Sequence, residues 1–265
     1  MYRYILIPVF LIFTLFGASY SSTGYPDANY GERLDNQEVP NAIIPSGTVE
    51  EMIAEVSQER IQTDLKRLTG VEPICLDGEC YLIHGRETGS EGLQWAKDYV
   101  YATLQNLNYS VEVLPWTSDP YSDENIIARK PGVLHPEMDI YFIAHLDGYP
   151  YNGPAADDDA SGVVSLLELA RILSDESLSY SVVLFFSTGE ELGARGARSF
   201  VADYPERLES IKYLVSVEML GWDSNDDGLM EFWSGDQPTD FVEMMSNIIT
   251  AYPIDLTPEI VTGCT

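Results

Sequence analysis

The sequence predicts an α/β fold: a single domain built on a mostly parallel, twisted mixed sheet with helices on both faces. Three observations carry this reading. The runs Asp139–Ala144 (DIYFIA), Ser181–Ser187 (SVVLFFS) and Tyr213–Val217 (YLVSV) are apolar almost throughout, so each reads as a strand buried on both faces. Segments with apolar residues near helical spacing alternate with these runs, the pattern that folds into a helix-covered sheet. No internal repeat and no second composition regime interrupts residues 49–265, which leaves one domain there.

The elements follow in chain order. Met1–Tyr2–Arg3 is a short basic start, followed by an apolar run from Tyr4 to Gly17 and then small residues. This is the three-part pattern of a secretory signal peptide, placed at residues 1–21. The run is shorter than the ~20 residues that a spanning helix needs. Export to a secreted or periplasmic location is therefore expected. No cysteine follows the run, so a lipoprotein anchor is not indicated. Residues 22–48, rich in Ser, Gly, Pro, Asn and Asp, read as an extended lead-in. Val49–Leu68 reads as a helix stopped by Gly70, and Ser90–Leu107 as a second, capped by Ser90 with Glu91 in its first turn. Tyr109–Trp116 and Glu124–Lys130 read as strands around the polar turn TSDPYSD. Helices at Ala160–Leu173, near Ala194–Tyr204 and at Thr239–Ala251 complete the helical set, and a short strand falls near Leu229–Trp233.

Charge and composition exclude several functions. Of 265 residues, 43 are Asp or Glu and only 14 are Lys or Arg, for a net charge of −29. Such a chain repels phosphate backbones and anionic lipid, so neither nucleic acid nor a stable membrane association is expected. An apolar fraction of 45% rules out a disordered chain. Export permits disulfides. Cys75 and Cys80 bracket the short turn CLDGEC and are expected to pair, while Cys264 is left over.

The chemistry gathers at the ends of the buried strands. DIYFIA runs into His145-Leu146-Asp147, SVVLFFS into Thr188-Gly189-Glu190-Glu191, and YLVSV into Glu218. Asp157-Asp158-Asp159 precedes the helix at Ala160. Ligands of open α/β sheets bind at the carboxyl ends of the strands, so these four clusters would converge. Packed carboxylates repel one another, and a divalent cation relieves that repulsion. Imidazole nitrogen with carboxylate oxygen suits zinc, and one shared carboxylate would let two ions sit side by side. His84 and His135 lack such company and read as structural or surface residues.

Taken in order, the segments Arg86-Glu-Thr-Gly-Ser90, Glu124-Asn-Ile-Ile127, Ala144-His-Leu-Asp147, Ala156-Asp-Asp-Asp-Ala-Ser-Gly162, Gly189-Glu-Glu-Leu-Gly193 and Val217-Glu-Met-Leu-Gly221 resemble the zinc-dependent exopeptidases of the bacterial leucyl aminopeptidase type, metallopeptidase family twenty-eight. The resemblance covers roughly residues 84–221. It implies a phosphorylase/hydrolase-like fold, a peptide substrate and two zinc ions. It implies His145 on the first zinc with Glu218, Asp158 bridging both, and Glu191 on the second. Glu190 would be the general base and Asp147 the carboxylate that fixes the imidazole. Glu218 stands where many members carry Asp. Glutaminyl cyclases share the scaffold but usually lack the Gly-Glu-Glu segment in this form.

The family pattern continues beyond Glu218 with a Ser-Asp-His segment and a later His on the second zinc. Here no histidine follows His145, and the sequence ends at Val261-Thr-Gly-Cys-Thr265. A C-terminally incomplete catalytic domain is therefore expected, with the partner of Cys264 in the remainder. Two rival functions share the scaffold: a carboxypeptidase or dipeptidase, and a non-catalytic peptidase-like ectodomain.

Overall fold

Helices and strands appear in the order that hydrophobic patterning dictates, with local departures. The computed structural model describes residues 49–235, 240–252 and 254–263; the expected signal peptide and lead-in and Cys264 lie outside them. The segment read as one helix is two, α1 (Val49–Glu55) and α2 (Gln58–Leu68). Ser57 starts α2 by capping the Arg60 amide, and its own amide donates to Glu168, so the chain breaks where a buried carboxylate takes the hydrogen bond. A hairpin that the sequence reading did not contain follows, β1 (Ile74–Leu76) and β2 (Glu79–Tyr81). Its Cys75–Cys80 disulfide is formed, as expected from the spacing.

Helix α3 (Glu91–Asn106) carries its N-cap on Ser90, whose hydroxyl accepts from the Leu93 amide at 3.1 Å. It buries Leu93, Ala96, Val100 and Leu104, an i, i+3, i+7 stripe that faces the core. Strands β3 (Ser110–Ser118), β4 (Tyr121–Lys130), β5 (His135–His145), β6 (Tyr180–Ser187) and β7 (Ile211–Ser216) form the main sheet in the order β3-β4-β6-β5-β7. The pairs β5–β6 and β5–β7 are parallel, while β3–β4 and β4–β6 are antiparallel. The expected polar turn between β3 and β4 shrinks to Asp119–Pro120 because both strands extend into it.

Alternation along the central strands explains the apolar runs. Ile140, Phe142, Ala144, Val182, Leu184 and Phe186 lie in the larger core with α3 and α4 (Ala160–Leu173). Tyr141, Val183 and Phe185 face the other way and pack on Phe200 of α5 (Arg195–Asp203). Every residue of α4 except Arg171 is buried, which matches its position against the sheet centre. A short α6 (Pro205–Leu208) leads into β7. Beyond the main sheet, β8 (Leu229–Trp233) and β9 (Thr257–Val261) pair in parallel as a second, two-stranded sheet joined by α7 (Asp240–Ala251), and Met230, Phe232, Met245 and Ile249 pack into the larger core.

Candidate metal centre

The parallel register sets the site. His145 pairs with Ser187, and Ile143 with Ser216, so the carboxyl ends of β5, β6 and β7 share one edge of the sheet. The segments leaving that edge carry His145–Asp147, Thr188–Glu191 and Glu218. The loop from Asp147 returns to the same edge through Asp157–Asp159 and enters α4, whose N-cap is Asp159.

His145 is 2% exposed, and both ring nitrogens are occupied. Nδ1 lies 3.0 Å from the main-chain oxygen of Asp147, and Nε2 lies 2.8 Å from Oδ1 of Asp158. A carbonyl only accepts, so Nδ1 carries a hydrogen toward Asp147, and Nε2 faces a second acceptor, the carboxylate. Two acceptors at 2.8 Å require a proton or a cation between them. The Asp158 side chain is half exposed, so this face of the imidazole opens outward.

The Asp147 carboxylate acts differently from its expected role. It lies 3.8 Å from Nδ1, and it is the main-chain oxygen that orients the imidazole. Its two oxygens instead accept the amides of Glu190 (3.1 Å) and Glu191 (3.2 Å). Asp147 thus ties the end of β6 to the end of β5. Burial raises its pKa, while His145 and the two amides oppose that.

Asp159 is fully buried and accepts the amides of His145 (3.1 Å), Gly162 (3.0 Å) and Met219 (3.4 Å). One carboxylate therefore joins β5, α4 and the segment after β7; burial pushes its pKa well up. Asp157 takes the Gly221 amide at 2.7 Å, and Ser161 takes that of Leu220 at 2.9 Å. Of the aspartate triplet, only the middle member turns outward.

The Glu190–Glu191 turn has its own frame. Thr188 accepts from the Trp116 indole at 2.8 Å and donates to the Glu124 carbonyl, while Asn125 accepts the Thr188 amide and donates to Gly196. Gly189 has φ +71°, and a Cβ there would lie 2.7 Å from the Trp116 ring. Both glutamates are partly buried, and burial raises both pKa values first. Glu218 and the site aspartates add to the effect on Glu190, and Asp158 adds to that on Glu191; His145 opposes both.

Among the described residues, no three His, Cys, Asp or Glu side chains are arranged to hold a metal ion together. Of the four expected donors the structure brings His145 and Asp158 into contact. Glu218 is exposed and accepts from Ser216 Oγ at 3.1 Å. Like charges repel, which disfavours close packing of bare carboxylates. His84 is exposed, and His135 stacks on Tyr180 at the opposite end of β5.

Arg86 was not singled out by sequence reading beyond its place in a motif. It is 1% exposed, and burial lowers its pKa to about 10, so it remains charged at neutral pH. A buried arginine next to an acidic cluster has no local sequence signature, because its partners are main-chain carbonyls distant in sequence.

The family model described as "Peptidase family M28" matches residues 125–258, a span of just over half the chain that takes in every site cluster after Arg86. The chain belongs to peptidase family M28. Among curated relatives of this M28 chain, a probable zinc metalloprotease of Pyrenophora teres is 23% identical and covers 78% of the chain and 45% of its own length. Leucine aminopeptidase 1 of Trichophyton rubrum is 26% identical and covers 69% of the chain and 50% of its own length. The chain thus spans about half the length of the curated relatives it matches. Solved structures place the M28 fold in company. LapB of Legionella pneumophila superposes with TM-score 0.66 at 18% identity over 81% of this chain and 57% of that one. Glutaminyl cyclase of Macrostomum lignano gives 0.61 at 17% identity over 85% of this chain and 78% of that one.

Proposed function

We propose that this chain is the catalytic body of an exported zinc-dependent aminopeptidase. The observation that carries the reading is the His145–Asp158 pair, an imidazole nitrogen held 2.8 Å from a half-exposed carboxylate at the carboxyl edge of the sheet. Family membership implies zinc, and the donor chemistry fits it. His145, Asp158, Glu191 and Glu218 would hold two ions, Asp158 serving both.

Bound zinc supplies Lewis acidity toward a water and toward the scissile carbonyl. The protein's own groups do the rest. The Asp147 main-chain oxygen orients the His145 ring and its carboxylate holds the Glu190–Glu191 turn, while Asp159 ties the His145 main-chain amide to the start of α4. Glu190, its pKa raised by burial, takes a proton from the attacking water and returns it to the departing amine. The C–N bond breaks, a C–O bond forms, and one N-terminal residue leaves. Residues 1–21 would direct export, which N-terminal sequencing of the secreted chain checks. Among the described residues no helix is long and apolar enough to cross a membrane.

The test uses the protein carried through to the end of its coding sequence, stripped with a chelator and assayed with and without added zinc. Leucyl p-nitroanilide should be cleaved only with zinc, and acetylation of its amine should abolish cleavage. Activity that needs a free carboxylate instead would point to the carboxypeptidase or dipeptidase reading. Ammonia release from N-terminal glutaminyl peptides would point to cyclase chemistry. Inactivity toward all of these with zinc bound would favour the non-catalytic ectodomain.

A further inference from the structure

Arg86 lies under the metal centre, at the junction of three segments distant in sequence. Its Nε donates to the Leu146 carbonyl at 2.8 Å, between His145 and Asp147. Its Nη2 donates to Ala155 at 2.9 Å, and its Nη1 to Pro154 at 3.0 Å, on the approach to Asp157–Asp159. Nη1 also donates to Leu68 at 2.7 Å, an end carbonyl of α2 with no partner inside its helix. Among the described residues, none of these bonds goes to a carboxylate. The main-chain oxygen of Arg86 in turn accepts the Gly148 amide at 3.1 Å.

A surface arginine would not be built this way. Burying a guanidinium is costly, and it is kept here by four carbonyls and by the field of Asp159, Asp147 and Asp158. The fork is planar and rigid, so its bonds fix a distance rather than merely neutralise charge. That distance is the one between the segment bearing His145 and the segment bearing Asp158. Ala155 has φ +42°, a conformation that non-glycine residues adopt only when held, and its carbonyl is one of those the guanidinium holds. The two loops are already in contact: a Cβ on Gly148 would meet the Ala155 Cβ at 2.4 Å and Nη2 of Arg86 at 3.4 Å.

We infer that Arg86 is the positioning residue of the metal centre, a buried brace that sets the spacing of His145 and Asp158 before any metal arrives. The inference rests on the metal-dependent reading above and extends it to a residue that touches neither metal nor substrate. Removing a supporting contact of this kind weakens metal binding by ~10–100-fold while the ligands remain.

The experiment measures zinc affinity of the full 265-residue chain by competition with a chromogenic chelator, beside the melting temperature of the zinc-free protein. Arg86→Lys keeps a cation but cannot reach four carbonyls together. Its zinc affinity should fall ~10–100-fold at a temperature where circular dichroism shows a folded chain. Gly148→Ala leaves the guanidinium in place and pushes the same two loops apart, so it should weaken zinc in the same direction. Arg129→Lys is the control: it alters an arginine that binds Asp139, Pro136 and Ser181 at the other end of β5 and β6. It should lower the melting temperature and leave zinc affinity within about twofold, as expected for a site that shares no partners with the metal loops. Unchanged zinc affinity in both Arg86→Lys and Gly148→Ala would overturn the inference, as would an equal loss in Arg129→Lys. If Arg86→Lys does not fold, Gly148→Ala decides. A parent chain that binds no zinc would refute the proposed function, and this inference with it.

Discussion

At the scale of single residues, three aspartates at the same edge of the sheet do three different things. Asp158 meets an imidazole, Asp147 takes two amides from the neighbouring strand end, and Asp159 takes three from three segments. The difference lies in what each carboxylate faces. Asp159→Asn leaves one oxygen for three amide donors and turns an NH2 toward the others. An unsatisfied buried donor costs about 1–3 kcal/mol. Asp159→Asn should therefore destabilise the chain by roughly that amount in urea titration; no loss would show that the three amides do not depend on the charge. Glu190 makes the opposite case: it is partly exposed, and among the described residues its carboxylate accepts no hydrogen bond. Glu190→Gln should keep the zinc and lose ~10²–10⁴-fold in turnover, the usual contribution of a positioned general base. Full turnover with zinc retained would remove Glu190 from its assigned role.

At the scale of elements, local signals and tertiary contacts divide the stabilising work. Ser90 is a local device: its hydroxyl closes the first turn of α3. Ser90→Ala should cost ~1 kcal/mol, the ordinary value of a helix cap, and leave zinc affinity unaltered. Phe142 is a tertiary device, fully buried between β6 and β7 and facing α4. Phe142→Ala should cost about 3–5 kcal/mol, since it leaves a cavity where the sheet meets its longest-buried helix. A larger effect from the cap than from the core, read in the same denaturation series, would reverse this ranking. The hairpin at β1 and β2 joins the two kinds. It is only three residues on each side, and its disulfide closes a short loop, worth on the order of 2 kcal/mol in the chain-entropy account. Alkylation of the non-reduced protein should label neither Cys75 nor Cys80.

At the scale of the whole molecule, the net charge of −29 is the dominant property. It opposes compaction through self-repulsion, and that repulsion is screened over ~10 Å at 0.1 M salt. The melting temperature of the zinc-free chain should rise as potassium chloride is raised from low millimolar to physiological levels. A flat or falling curve would mean that paired contacts such as Lys97 with Asp123 and Glu124 outweigh the net field.

What the sequence determined by itself was whatever depends on near neighbours or on strict periodicity. The helix at Ala160–Leu173 was legible to the residue, because continuous burial leaves little freedom, and a short strand near Leu229–Trp233 was legible in place. Ser90 as a cap and Cys75 with Cys80 as a pair were legible from spacing alone. The gathering of the acidic clusters at strand ends was legible too, since parallel strands must end on one edge. Only the tertiary structure decided the rest. It broke the first predicted helix at Ser57, because Glu168, 111 residues away, takes the Ser57 amide. It moved the support of the imidazole from the Asp147 side chain to its main chain. It placed Arg86 beneath the site, through carbonyls of Leu68, Leu146, Pro154 and Ala155. A carbonyl is present at every residue and so leaves no trace in the sequence; which ones a buried guanidinium collects is settled only when the chain has folded around it.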